Sequence, residues 1–216
     1  MKKIVLIGGG GHCKVVIDIL TGNKIFKISG IIDNKLKNNS NISNVPVIGK
    51  DSNLTEIFNK GMHYCFVAIG ATAASTARAK IYDMAKKIGY KLPVIVSTNA
   101  LVSKNTIIGE GTIVANGAII NPGATIGKNC IINTGAIIEH DCKIGNHVHI
   151  APGVTLSGGV SIGDFSHVGT GSTIIQGISI GSNTTIGAGS TVVNDISSNS
   201  VAFGNPCKKQ KVINAK

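Results

Sequence analysis

The chain has 216 residues, enough for one or two domains, with 28 glycines, only 4% aromatic residues and no tryptophan. Its formal charge of +11 is carried by lysine, Arg78 being the sole arginine, and no basic cluster occurs beyond Lys208, Lys209 and Lys211. That pattern lacks the aromatic-studded basic face of a nucleic-acid binder and leaves two readings: a solubilising lysine surface, or attraction to a small polyanion.

Met1-Lys2-Lys3 and the apolar run after it stop at four glycines beginning with Gly8. The run is too short for a secretory signal core and far too short to span a membrane. The five cysteines form no CxxC pair, so no zinc or redox motif is expected. These features predict a cytoplasmic protein with reduced thiols.

Residues 3–8 predict a buried strand, Gly8-Gly9-Gly10-Gly11 a turn of minimal bulk, and His12 to Leu20 an amphipathic helix. A strand, a glycine loop and a helix N-terminus make a cradle whose backbone N–H groups can face a phosphate. Residues 28–33 predict a second strand ending at Asp33, where an acidic side chain can hold a ribose hydroxyl. Further strands are expected near 64–69 and 92–96, with helices near 12–21, 52–60 and 73–88. Cys13 stands where the third glycine of GxGxxG would be, and the unit ends near residue 98, which favours a mononucleotide-type ligand over a dinucleotide. Gly70 ends the third strand on the ligand edge of the sheet. Arg78, on the following helix, could reach a phosphate or merely be solvated.

From Val102 to Val192 every sixth residue is aliphatic, through Ile108, Val114, Ile120, Ile126, Ile132, Ile138, Ile144, Ile150, Leu156, Ile162, Val168, Ile174, Ile180 and Ile186. The residue two places earlier is mostly small, and an Ile-Gly pair recurs every eighteen residues at Ile108, Ile126, Ile144, Ile162 and Ile180. Neither a 3.6-residue period nor simple alternation fits. The pattern predicts a parallel β-helix of three short strands per coil, about five coils long with no extruded loop. Aliphatics plug the interior corners, and the glycine of the recurring Ile-Gly pair suits a turn of unusual φ/ψ. Cys130 and Cys142 fall on the inward small slot.

A solenoid is a scaffold, so chemistry must come from its outward residues. Ile138 and Cys142 point inward, which leaves Glu139, His140 and Asp141 at an outward corner. A neutral imidazole there can take a proton from an attacking amine or hydroxyl. Either flanking carboxylate could fix its tautomer. His149 and His167, eighteen residues apart, are expected to point outward and to stack. His63 and His147 have no constellation around them.

The run Gly8 to His12, Val67-Ala68-Ile69-Gly70, Asn133, Ile138-Glu139-His140-Asp141-Cys142, His149-Ile150-Ala151-Pro152-Gly153 and Gly204-Asn205-Pro206 together span the chain. They resemble the sugar N- and O-acetyltransferases of the left-handed β-helix superfamily, which include the bacillosamine-pathway, perosamine and sialic acid enzymes. The resemblance implies a Rossmann-like sugar-nucleotide domain over 1–98 and a left-handed β-helix acetyltransferase domain over 99–216. It implies a homotrimer with acetyl-CoA lying between neighbouring subunits and a nucleotide-linked 4-amino-6-deoxy sugar as acceptor. It further implies His140 as catalytic base beside Asp141, with Asn133 and His149 near the thioester and Gly158, Thr170 and Ala188 along coenzyme A. Gly10, Gly11 and His12 would form the sugar-nucleotide loop, Asp33 and Asn34 the nucleoside-binding pair, and Gly70 a close-approach glycine. No metal is expected. Alternatives on the same scaffold are a sialic-acid-type O-acetyltransferase and a metal enzyme resembling γ-type carbonic anhydrases through His149 and His167. A third alternative is a sugar-nucleotide sensor without catalysis.

Overall fold

The computed structural model describes every residue except Thr72, Ser75 and 213–216. The expected helix near 73–88 includes Ser75, and the expected C-terminal tail includes 213–216; those residues lie outside the described ones. The chain divides into two compact units, Met1–Gly70 with Ala77–Thr98, and Ala71–Thr76 with Asn99–Lys216.

The first unit runs β1 (Lys2–Ile7), α1 (Gly11–Asn23), β2 (Phe26–Ile32), β3 (Asn41–Ile42), β4 (Val45–Gly49), α2 (Leu54–Asn59), β5 (Tyr64–Val67) and α3 (Ala77–Ile88). Its sheet has the order β3-β4-β2-β1-β5, parallel except for the edge strand β3. Ile4 to Ile7 and Cys65 to Val67 are buried without alternation, as central parallel strands require. The carboxyl ends of β1, β2 and β5 therefore share one edge. The β3–β4 hairpin was not legible in the sequence. Its two-residue turn is Ser43-Asn44, both at positive φ (47° and 65°), without the Asn-Gly pair that usually announces such a turn. The strand expected near 92–96 narrows to Ile95–Val96.

The second unit is a parallel β-helix. Two-residue strands recur every six residues from Leu101–Val102 to Thr191–Val192. From Leu101–Val102 to Thr173–Ile174 each pairs with the strand eighteen residues on, as in Ile120↔Ile138, Ile126↔Ile144 and Ile132↔Ile150. The inward aliphatics from Val114 to Val192 are all buried, at 0–4% exposure, and Val102 and Ile108 are half-buried. Small polar residues in the adjacent slot are satisfied rather than orphaned. Thr112, Ser166 and Ser172 donate to the carbonyls of Gly127, Gly181 and Gly187 at 2.8–2.9 Å. The coil ends in Ser200–Phe203, capped by the antiparallel strand Lys208–Val212.

One expectation about the turns is corrected. The glycines that follow the inward aliphatics do not have positive φ. They are required because successive coils touch there: a Cβ on Gly127 would sit 2.5 Å from the Gly145 carbonyl oxygen. The left-handed positions lie three residues before each inward aliphatic, from Gly111 to Gly189. They include Asn129, Asp141, His147, Phe165 and Asn183 as well as glycines.

Candidate functional site

Residues at the carboxyl edge of the first unit enclose a cavity of about 640 Å³. All six residues expected at the sugar nucleotide line it: Gly10, Gly11, His12, Asp33, Asn34 and Gly70. The four glycines divide by role. Gly8 has φ +102°, and a Cβ there would collide with the Ile69 side chain. A Cβ on Gly9 would lie 2.5 Å from Leu36 Cδ1. These two serve the fold. Gly10 and Gly11 have nothing within 4 Å of an added Cβ, so their missing side chains are volume left to the cavity. No side chain caps α1, and its first turn holds no acidic residue, which leaves N–H groups facing the cavity mouth.

Asp33 is fixed by backbone donors. Its Oδ2 accepts from Gly9 N at 2.8 Å, and its Oδ1 accepts from Lys35 N at 2.8 Å and Leu36 N at 3.1 Å. Burial by itself would raise the Asp33 pKa; the N–H groups of Lys35, Gly9 and Leu36 and the Lys35 charge outweigh it and hold the carboxyl below its ordinary value. His12 Nε2 is enclosed without a hydrogen-bond partner. Burial, and secondarily the charge of Arg78, pull the His12 pKa down to about 4, so the ring is neutral at physiological pH. Arg78 itself is buried. Its Nη1 donates to the carbonyls of Val67 at 2.6 Å and Ile69 at 2.5 Å, so it braces the end of β5 and is neither a phosphate ligand nor a solvated surface group.

Sequence reading missed Lys35, Asp51, Lys80 and Ile81, which also line the cavity. Helical spacing of Ala77, Lys80 and Ile81 on α3 was the available signal for two of them. Asp51 follows the overlooked strand β4, so nothing local placed it. Gly10→Val is expected to leave the melting temperature within a few degrees, because the new side chain enters open space, and to weaken sugar-nucleotide binding at least tenfold. Calorimetry with sugar nucleotide and with coenzyme A checks this; loss of coenzyme A binding alone would reverse the assignment of the cavity.

In the second unit, His140 and Asp141 stand at an outward corner of the coil, 58% and 72% exposed at their side chains. Asp141 occupies a left-handed position, φ 59°. His140 Nδ1 lies 2.9 Å from Asp141 Oδ2. A carboxylate only accepts, so Nδ1 carries the proton and Nε2 is left as the basic nitrogen. Glu139 accepts from the His140 backbone N at 3.4 Å, not from the ring; Asp141 is the orienting carboxylate. Gly158 lies against the same imidazole, and a Cβ there would sit 2.5 Å from Nε2. Gly158 therefore seats the histidine ring. Cys142 is buried, and burial raises its thiol pKa, which makes it a poor nucleophile.

A separate groove of about 290 Å³ gathers His149, Thr170 and Ala188 with Ala71, His167 and Gly187. His149 and His167 were expected to be exposed; they are 8% and 7% exposed instead. Their rings meet edge to face at 4.8 Å, as the eighteen-residue spacing implies. His149 Nδ1 donates to the Ala71 carbonyl at 2.7 Å, which fixes the tautomer, and Nε2 accepts from Asn133 Nδ2 at 3.1 Å. Asn133 Oδ1 in turn accepts from Thr134 N at 2.9 Å. Both His149 nitrogens are thus hydrogen-bonded. Among the described residues no cluster of three His, Cys, Asp or Glu is placed to hold a metal ion, and no helix is long and apolar enough to cross a membrane.

Comparison with known proteins meets this geometry. Residues 3–85 match the PglD N-terminal domain family. Residues 123–158 match the bacterial transferase hexapeptide family, and 159–194 the hexapeptide repeat of succinyl-transferase. Against curated proteins the chain gives no match. Among solved structures it is similar to perosamine N-acetyltransferase from Caulobacter crescentus in complex with CoA and GDP-perosamine, here a mutant with one histidine replaced by asparagine. That match has TM-score 0.93 and 36% identity, covering 98% of each chain. It is similar to the acetyltransferase domain of PglB from Neisseria gonorrhoeae in complex with acetyl coenzyme A, with TM-score 0.89 and 34% identity over 97% of this chain and 99% of that one. It is also similar to WeeI from Acinetobacter baumannii, with TM-score 0.86 and 25% identity over 97% and 100%. The chain belongs to the sugar acetyltransferase family that joins a PglD-type N-terminal α/β domain to a left-handed β-helix of hexapeptide repeats.

Proposed function

We propose that the protein is a cytoplasmic enzyme that transfers acetyl from acetyl-CoA to the amino group of a nucleotide-linked 4-amino-6-deoxy sugar. The observation that carries this reading is the exposed His140–Asp141 pair, with Nδ1 committed to the carboxylate and Nε2 without a hydrogen bond among the described residues. Nε2 takes the proton of the acceptor amine as its nitrogen attacks the thioester carbonyl; the tetrahedral intermediate then collapses and the coenzyme A thiolate leaves. Transfer is direct, because Cys142 is buried with a raised pKa. With both His149 nitrogens engaged, stabilisation of the oxyanion falls to backbone N–H groups or to the second N–H of Asn133.

Residues 1–98 act as the sugar-nucleotide domain, with Gly10, Gly11, His12, Asp33, Asn34 and Gly70 around the ligand. Residues 99–216 form the acetyltransferase domain, with His149, Thr170 and Ala188 along coenzyme A. Gly158 acts through its contact with His140. Support comes from the perosamine enzyme, whose structure contains CoA and GDP-perosamine, and from the PglB domain in complex with acetyl coenzyme A. The test is acetyl transfer from acetyl-CoA to a panel of UDP-, GDP- and CMP-linked amino and hydroxy sugars. Release of coenzyme A thiol with amino sugars supports the reading, and transfer only to hydroxyl acceptors defeats it.

The protein is expected to be a homotrimer, with acetyl-CoA between neighbouring β-helices. Light scattering at micromolar concentration checks the assembly. A monomer with full activity would remove the intersubunit acetyl-CoA site.

A further inference from the structure

Arg78 is 5% exposed on α3, and the chemistry of acetyl transfer gives it no step. Its Nη1 holds the carbonyls of Val67 and Ile69 at 2.6 and 2.5 Å. An aliphatic side chain would fill the same space with no charge to desolvate; what the guanidinium adds is a fixed place for two carbonyls. Ile69 is followed by Gly70 and Ala71, and these two residues serve different sites. Gly70 lines the glycine-loop cavity of the first unit. Ala71 lines the groove of the second unit, and its carbonyl accepts from His149 Nδ1 at 2.7 Å. Three residues further on, Ala74 N donates to Thr185 Oγ1 at 3.1 Å, and Thr185 lines the same groove.

Peptide planarity leaves only φ and ψ between one carbonyl and the next. A carbonyl pinned at Ile69 therefore limits where the Ala71 carbonyl can point, with only the torsions of Gly70 and Ala71 between them. Glycine is the most permissive residue for that place, so the narrowing comes from the pin at Ile69 and not from Gly70. The direction of the Ala71 carbonyl decides the His149 tautomer. An acceptor at Nδ1 puts the proton there and leaves the Nε2 lone pair to accept from Asn133 Nδ2 at 3.1 Å. In the other tautomer Nε2–H would face the Asn133 amide donor, and the amide would have to turn over and give up its bond from Thr134 N. Asn133 is one of the groups available to hold the oxyanion. We infer that Arg78 is a positioning residue for acetyl transfer: by holding Ile69 it sets the Ala71 carbonyl, and through it the His149 tautomer and the orientation of Asn133. It does so without touching either substrate. This inference rests on the acetyl-transfer reading of the groove.

Nitrogen NMR on intact protein with isotope-labelled histidine tests it, beside steady-state kinetics. The His149 signals are assigned by their loss in His149→Gln. In the unaltered protein Nδ1 should carry the proton and Nε2 the lone pair. Arg78→Met loses both carbonyl bonds, so the His149 signals should move toward the other tautomer. Its kcat should fall about ten- to a hundredfold, the scale of a small misplacement of reacting groups. Arg78→Lys keeps the charge on a side chain one bond shorter, so it should fall between in both measurements. Ile57→Val, in the core of the same unit, is the control for stability: it should lower the melting temperature while leaving kcat and the tautomer in place. Unmoved His149 signals in Arg78→Met would overturn the inference and make Arg78 a brace for the fold alone. A fall in kcat in Ile57→Val as large as in Arg78→Met would overturn it as well. If Arg78→Met does not fold, Arg78→Lys decides, and an unshifted tautomer with unaltered kcat there overturns the inference. The tautomer is read without turnover. Failure of acetyl transfer in the unaltered protein would therefore strike the transfer reading, while an unmoved tautomer strikes only the role of Arg78.

Discussion

His140→Ala is expected to lower kcat by about a hundred- to ten-thousand-fold, the usual contribution of a positioned general base. The melting temperature should barely move, because the side chain is 58% exposed and contributes little to the core. Michaelis constants should change little, since the variant removes a proton acceptor and leaves the glycine cavity and the groove beside His149 intact. Asp141→Asn should lose less than His140→Ala. Its amide can still accept from Nδ1–H, but it no longer excludes the other tautomer, so part of the population would present a protonated Nε2 to the amine. Gly158→Ala offers an independent check. A Cβ 2.5 Å from Nε2 must displace the ring, so kcat should fall even though no ionisable group has been removed. Near-normal turnover in His140→Ala would move the base elsewhere. His149 is then a poor candidate, because Ala71 and Asn133 hold both of its nitrogens; a group from a neighbouring subunit would be the next place to look.

The coils of the solenoid and their inward phase were legible because their physics is periodic. One inward aliphatic per side fixes the phase for every other residue, and so His140 could be assigned to an outward corner before any coordinates. The glycine cavity was legible for the same kind of reason: a strand, four glycines and a helix start are local signals. Contacts between residues far apart in sequence were not legible. Nothing in Arg78 announces that it will turn inward and brace the carbonyls of Val67 and Ile69. The burial of His149 depends on Ala71, 78 positions earlier. Asp51 depends on a hairpin whose Ser43-Asn44 turn carries no strong sequence signature. The choice between Glu139 and Asp141 also lay beyond the sequence, since both flank His140 equally. It is decided by the left-handed backbone of Asp141, which brings a short carboxylate to Nδ1.

Ile144→Asp is expected to abolish the cooperative melt of the β-helix. Ile144 is 4% exposed and pairs with Ile126 in one neighbouring coil and Ile162 in the other. Losing a buried aliphatic side chain costs about 2–5 kcal/mol. The new carboxylate would lie between Ile126 and Ile162 in the aliphatic interior, and burying an unpaired ion adds several kcal/mol more. Together these terms approach the whole stability of an ordinary domain, about 5–15 kcal/mol. Lys143→Asp is the matched control one residue away. Lys143 is exposed and points outward, so the same new charge should shift the melting temperature by no more than a few degrees. Circular dichroism against temperature separates the two variants. A cooperative transition retained by Ile144→Asp at the unaltered temperature would overturn the inward phase of the repeat, and with it the outward placement of His140. If both variants fail alike, charge at this face rather than burial would be the cause. A stable Lys143→Asp beside an unfolded Ile144→Asp ties the fold to the six-residue period, since the two side chains differ in little except which side of the coil they occupy.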